Sequence, residues 1–219
     1  MGISGGGLAA AGGTGGGSPD LWYVSRASGL VLLVLFSVVV VLGVTARTGS
    51  RPAGWPRFAF VELHRTLALF SVVLLVLHVL TALLDPFVSI GWAAVALPFL
   101  SGYRTLQIGL GTLAVDLAGA VIVTSLLRVR LGFRSWRAVH WLAYLAWPAA
   151  FVHSLTAGSD LAIWWVAMIE WLCAAAVATA VIARLLFVMR GSVVPGTPTA
   201  SGVPPEIPAD FFTRAKARR

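Results

Sequence analysis

Five long apolar segments with charges pushed to their ends constrain this chain more than any other feature of its sequence. They lie at Leu21–Ala46, Arg57–Leu84, Leu106–Leu127, Trp136–Ala157 and Leu161–Met189. A bilayer core about 30 Å thick is crossed by roughly 20 helical residues. Inside lipid the backbone must satisfy its own hydrogen bonds, which leaves helices as the economical solution. The expected fold is therefore all-α: a polytopic transmembrane helical bundle with five spans. Hydrophobic residues make up 58% of the chain and charged residues 11%, and mean hydropathy is +0.90; a soluble domain of this length would not carry that surface.

The remaining segments divide the chain. Residues 1–20 are Gly-rich without Lys or Arg and read as a flexible leader that lacks the basic start of a signal peptide. Residues 21–190 form the membrane domain. Residues 191–219, with five prolines and a basic end, read as a disordered cytoplasmic tail. Phe87–Leu100 is apolar but shorter than a span and interrupted by Gly91 and Pro98, so it is expected to be interfacial or re-entrant. The single cysteine, Cys173, lies in an apolar run, so no internal disulfide is available.

Charge sets the expected orientation. Arg47, Arg51, Arg57 and Arg65 flank the first loop, and Arg128, Arg130, Arg134 and Arg137 the third. Arg184, Arg190, Arg214, Lys216, Arg218 and Arg219 lie at the end of the fifth span and in the tail. With five spans these 14 of the 16 basic residues share one side, and only Arg26 and Arg104 fall on the other. Cytoplasmic loops carry the Lys/Arg excess. The N-terminus is therefore expected outside and the C-terminus in the cytoplasm, in the plasma membrane. The net charge of +8 is topological and does not point to nucleic acid, because basic and aromatic residues are not interleaved.

All four histidines fall in two of the spans: His64 and His78 in the second, His140 and His153 in the fourth. The two spans run in the same direction. At 1.5 Å per residue the pairs are about 21 Å and 19.5 Å apart along their helices, so each of two depths offers one imidazole from each helix. Ionisable groups inside a membrane are costly and mark function. Two facing imidazoles can supply both axial ligands of one haem. Ordinary interhelical hydrogen bonding is the alternative for any one of these residues; four at two matched depths select ligation. A 14-residue step returns to within about 40° of its starting face, whereas a 13-residue step misses by about 140°. Pro148, between His140 and His153, removes a backbone donor and allows a kink or altered winding there.

With "WYVSRASGL", "ELHRTLALF…LHVLTALLDP" and "WRAVHWLAYLAWPAAFVH", this histidine spacing resembles the ferric reductase-like transmembrane domain superfamily over about Trp22 to Met189. That superfamily includes the membrane halves of ferric reductases and NADPH oxidases and the haem subunit of the bacterial methionine sulfoxide repair system. The resemblance implies a di-haem cytochrome b, with His64 and His140 on the inner haem and His78 and His153 on the outer one. Many relatives have six spans; here one N-terminal span is missing from the pattern. No GxGxxG follows a predicted strand, so electrons are expected from a separate flavoprotein or from membrane quinol. The acceptor would be ferric iron, oxygen or an outer-face redox protein. Whether this polypeptide catalyses a reaction itself is left open.

Secondary candidates carry two readings each. Arg137 and Arg65 at the inner level, and Arg26 and Arg104 at the outer, could hold haem propionates or only anchor the helices. Asp116 and Glu170 could form interhelical hydrogen bonds or handle protons beside a quinol; a carboxyl at that depth is costly unless protonated or paired. Phe87–Leu100, with Trp92, Tyr103 and Arg104, could cover the outer haem or form an interfacial aromatic belt. The rival class is a non-redox metal transporter or scaffold. It is poorly served by histidines about 20 Å apart along one helix, since one metal ion binds its ligands at about 2 Å.

Overall fold

The computed structural model describes residues 20–48, 56–85, 90–158 and 162–192. The expected leader and tail lie outside these residues, apart from the ends of helices that run into them. The described residues are all-helical: α1 (Asp20–Thr48), α2 (Arg57–Leu84), α3 (Trp92–Ala96), α4 (Thr105–Leu126), α5 (Arg128–Leu131), α6 (Phe133–His140), α7 (Ala143–Ala157) and α8 (Trp164–Ser192). Four helices, α1, α2, α4 and α8, are long and apolar enough to cross a membrane unbroken. The expected fourth span, Trp136–Ala157, is instead divided between α6 and α7.

Local chemistry sets the boundaries. Pro56, with φ −72° and ψ 148°, directly precedes α2, where a missing N–H costs nothing. Asp85 precedes Pro86 and takes the extended conformation, φ −70° and ψ 118°, that a following proline imposes, so α2 stops there. Gly132, at φ 77°, separates α5 from α6 in a backbone region that only glycine enters cheaply. Arg104 precedes α4 in the left-handed region at φ 42°.

α1 is the hub. It packs against α2, α7 and α8, while α4 packs against α7. Where α1, α7 and α8 meet, Val40, Val44, Trp147, Cys173 and Val177 form a buried cluster. The Trp147 indole donates to Ser37 Oγ at 2.9 Å, and that hydroxyl donates to the Leu33 carbonyl at 2.7 Å. An indole N–H buried in a membrane bundle needs such a partner; interhelical bonds of this kind contribute about 0.6–2 kcal/mol. The outward faces remain apolar: Phe70 and Val73 of α2 and Leu185, Phe187 and Met189 of α8 are exposed and lie off the cavity, as lipid-facing residues should be. α2 and α7 are not among the closely packed pairs. A cavity of about 1510 Å³ lies between them and is lined from all eight helices.

Candidate functional site

The four histidines line this cavity in two facing pairs. His64 and His140 have ring centroids 6.3 Å apart with planes at 62°. His78 and His153 are 6.4 Å apart at 78°. α2 brings its two histidines to one face by the 14-residue step.

The winding of the opposite helix resolves the 13-residue mismatch. Just before Pro148 the chain closes hydrogen bonds one residue short: Trp141 N–H to Ala138 at 3.3 Å, Leu142 to Val139 at 2.9 Å, Tyr144 to Trp141 at 3.0 Å and Leu145 to Leu142 at 2.9 Å. Pro148 has no N–H for the Tyr144 carbonyl and its ring crowds that oxygen; the tightened turn lies immediately upstream. About four steps at 120° rather than 100° recover some 80°, leaving a miss of about 60°, close to that of α2. The same steps rise about 2.0 Å rather than 1.5 Å each, lengthening the His140–His153 separation to about 21.5 Å against about 21 Å on α2. One local change in winding matches both depth and direction.

The spacing within each pair fits a shared metal. A metal–imidazole bond of about 2.0–2.1 Å, with the nitrogen roughly 1.1 Å from its ring centroid by bond geometry, places two rings across one ion about 6.3 Å apart. Three of the histidines have one ring nitrogen fixed by a backbone carbonyl. His64 Nδ1 lies 2.9 Å from the Val39 carbonyl, His78 Nδ1 2.8 Å from that of Ser25, and His153 Nδ1 2.7 Å from that of Gln107. A carbonyl can only accept, so Nδ1 carries the proton and Nε2 keeps its lone pair. His140 is placed by its own helix, with the Trp136 ring at 5.0 Å. Among the described residues no three His, Cys, Asp or Glu side chains gather at one point; each level offers two imidazoles. The cavity exceeds the roughly 300–1,000 Å³ of a site for one small ligand.

The arginines divide. Arg26, Arg65, Arg104 and Arg137 all line the cavity. Arg26 lies over the Trp22 ring at 4.6 Å, and Arg137 over Phe133 at 5.6 Å; Arg65 is exposed. Arg104 plays a structural role, donating to the carbonyls of Ala157 at 3.0 Å and Thr156 at 3.4 Å. It thereby caps the end of the helix bearing His153, where cations are favoured.

The carboxyls separate too. Asp116 is exposed on α4 and does not line the cavity. Glu170 is 3% exposed and does line it. Ser154, the neighbour of His153, donates to Glu170 Oε1 at 2.6 Å, while Oε2 is buried with no hydrogen-bond partner among the described residues. Of Phe87–Leu100, expected either to cover the outer level or to form an interfacial belt, residues 87–89 lie outside the described residues. The rest forms α3, tied to α4 by the bond from Thr112 Oγ1 to the Ala94 carbonyl at 2.7 Å, with Ile90, Ala94 and Val95 on the cavity wall.

Sequence reasoning did not single out three glycines. An added Cβ would meet the His78 ring at 2.9 Å from Gly29, the His64 ring at 3.3 Å from Gly43 and the His153 ring at 2.7 Å from Gly111. One signal was available: Gly29 and Gly43 are 14 residues apart, the His64–His78 step. It acquires meaning only once α1 is known to lie antiparallel beside α2. Arg184 was also counted as topological. It lines the cavity, stacks over Trp141 at 5.1 Å and donates to the Tyr144 hydroxyl at 3.3 Å.

Among the described residues the chain is an all-helical membrane bundle whose cavity is lined by two facing pairs of imidazoles. Residues 28–151 match the family described as the ferric reductase like transmembrane component, and the chain belongs to that family. The match takes in His64, His78 and His140 and ends two residues before His153. Curated proteins and solved structures yielded no match.

Proposed function

We propose that this chain carries electrons across the plasma membrane through two b haems, one held by His64 and His140 near the cytoplasmic face and one by His78 and His153 near the outer face. The observation that carries this reading is the paired imidazoles at two depths, each pair spaced as a shared metal requires. Bound haem supplies a one-electron carrier at each level. The protein's part is orientation: backbone carbonyls of α1 and α4 hold three imidazoles with Nε2 toward the cavity, and lipid-facing helices exclude water. In this reading α6 and α7 together complete a fifth crossing, with the N-terminus outside and the basic loops in the cytoplasm. Arg26 at the outer level, and Arg65 and Arg137 at the inner, supply positive charge for propionates, while Arg104 is engaged by the carbonyls at the end of α7. The donor is a separate flavoprotein, and the acceptor is ferric iron, oxygen or an outer-face redox protein.

One observation favours a second source of electrons. Glu170 lines the cavity, and its Oε2 is buried without a hydrogen-bond partner among the described residues, as suits a group that takes a proton from a membrane quinol. Asp116 does not share that position. Purified protein in vesicles, with dithionite trapped inside and ferricyanide outside, tests transmembrane transfer. The wild type should reduce ferricyanide at least tenfold faster than vesicles bearing His64→Ala or His78→Ala. A wild-type rate equal to that of protein-free vesicles would reject the proposal.

A further inference from the structure

Three of the four histidines sit in the same local device. The ring donates through Nδ1 to the carbonyl of residue i on a neighbouring helix, and residue i+4 of that helix is glycine: Ser25 with Gly29 for His78, Val39 with Gly43 for His64, and Gln107 with Gly111 for His153. The geometry has a simple cause. Within an α-helix the carbonyl of residue i already accepts from the N–H of residue i+4, leaving one lone pair. Helical Cβ atoms tilt toward the N-terminus, so the Cβ of i+4 lies over the approach to that carbonyl. A ring reaching the second lone pair from outside must occupy the place where this Cβ would be. The hypothetical Cβ distances to His153 and His78, 2.7 Å and 2.9 Å, are closer than real Cβ atoms approach; that to His64, 3.3 Å, is tight.

We infer that Gly29, Gly43 and Gly111 are positioning residues for the metal ligands, each serving as the floor of a cradle that lets a histidine ring dock on a backbone carbonyl. The inference rests on the haem reading above and adds a rank order to it. The outer level has a cradle under both ligands and should depend on them strongly. The inner level has one, under His64 and the loosest of the three, while His140 is set against Trp136. A methyl group at Gly111 or Gly29 displaces the ring from its carbonyl acceptor and turns Nε2 off the axis it shares with the opposite imidazole. At Gly43 a few tenths of an ångström of adjustment suffices, so the ligand stays but its Nδ1 bond lengthens. A weaker bond makes the imidazole a poorer electron donor.

Gly111→Ala, Gly29→Ala and Gly43→Ala are compared with Gly119→Ala, which lies on α4 beside open space and where alanine favours helix. Haem per chain and midpoint potentials are the readouts. Gly111→Ala and Gly29→Ala should fall from about two haems per chain to about one, with a residual spectrum matching that of His153→Ala; the retained inner haem reports a folded protein. Gly43→Ala should keep both haems with the inner midpoint potential raised. Gly119→Ala should match the wild type. Unchanged haem content and potentials in Gly29→Ala and Gly111→Ala would overturn the inference. So would loss of both haems from all three variants with Gly119→Ala intact, since that would make the glycines general packing residues. A wild-type protein without haem would instead reject the underlying reading.

Discussion

His64, His78 and His153 each commit Nδ1 to a backbone carbonyl, which leaves Nε2 with its lone pair. The four histidines were legible from type, number and spacing alone, because an imidazole in an apolar span needs a reason to be there. The groups that aim them were not, since a carbonyl has no sequence signature and a glycine in a membrane helix has many explanations. Depth along the sequence treated Asp116 and Glu170 alike; rotation about the helix axis separates them. Glu170→Gln should slow reduction by a quinol analogue at least tenfold if the quinol route operates, because the amide cannot take up the proton. Asp116→Asn should leave both haem content and that rate within a factor of two. Stopped-flow reduction of the two variants decides it, and equal slowing in both would detach proton handling from the cavity wall.

At the scale of elements, apolar runs placed α1, α2, α4 and α8 within a few residues of their observed limits, because hydropathy and the proline before and after α2 leave little freedom. The expected span over Trp136–Ala157 held the part that periodicity could not resolve. Its division into α6 and α7 follows from the tightened turn upstream of Pro148, and only an i→i−3 pattern visible in the backbone reveals how far the winding changes. The turn is what aligns His140 with His153. Pro148→Ala restores the missing donor and lets the segment relax toward a regular α-helix, returning the two rings to faces about 140° apart. The variant should retain or gain helical signal in circular dichroism while losing at least half of its haem. Full haem content in that variant would show that the tightened turn is not needed for ligation.

For the whole molecule, the proposed vectorial reading joins the Lys/Arg excess of the sequence, expected on one side of the membrane, to the two levels of facing histidines. The Lys/Arg excess was readable in the sequence, whereas the cavity between α2 and α7 was not, since it depends on how α1 packs against both of them and α4 against α7. A basic cytoplasmic face should steer an acidic flavoprotein toward the inner pair, an attraction that weakens as salt shortens the Debye length from about 10 Å at 0.1 M to about 3 Å at 1 M. Reduction by such a flavoprotein should therefore slow at least tenfold between these concentrations. Rapid, salt-independent reduction by quinol alone would place electron entry within the bilayer instead.

Whether each level of paired histidines holds one haem can be decided from the visible spectrum and haem content of the protein purified from haem-replete cells. The expected preparation is red, with about two b haems per chain and a reduced spectrum of bis-histidine, low-spin haem. His78→Ala and His153→Ala should each lose the outer haem alone, and His64→Ala and His140→Ala the inner one alone, because the two sites are about 21 Å apart along their helices and share no ligand. A colourless wild-type preparation, or loss of both haems from every single variant that remains folded, would contradict it.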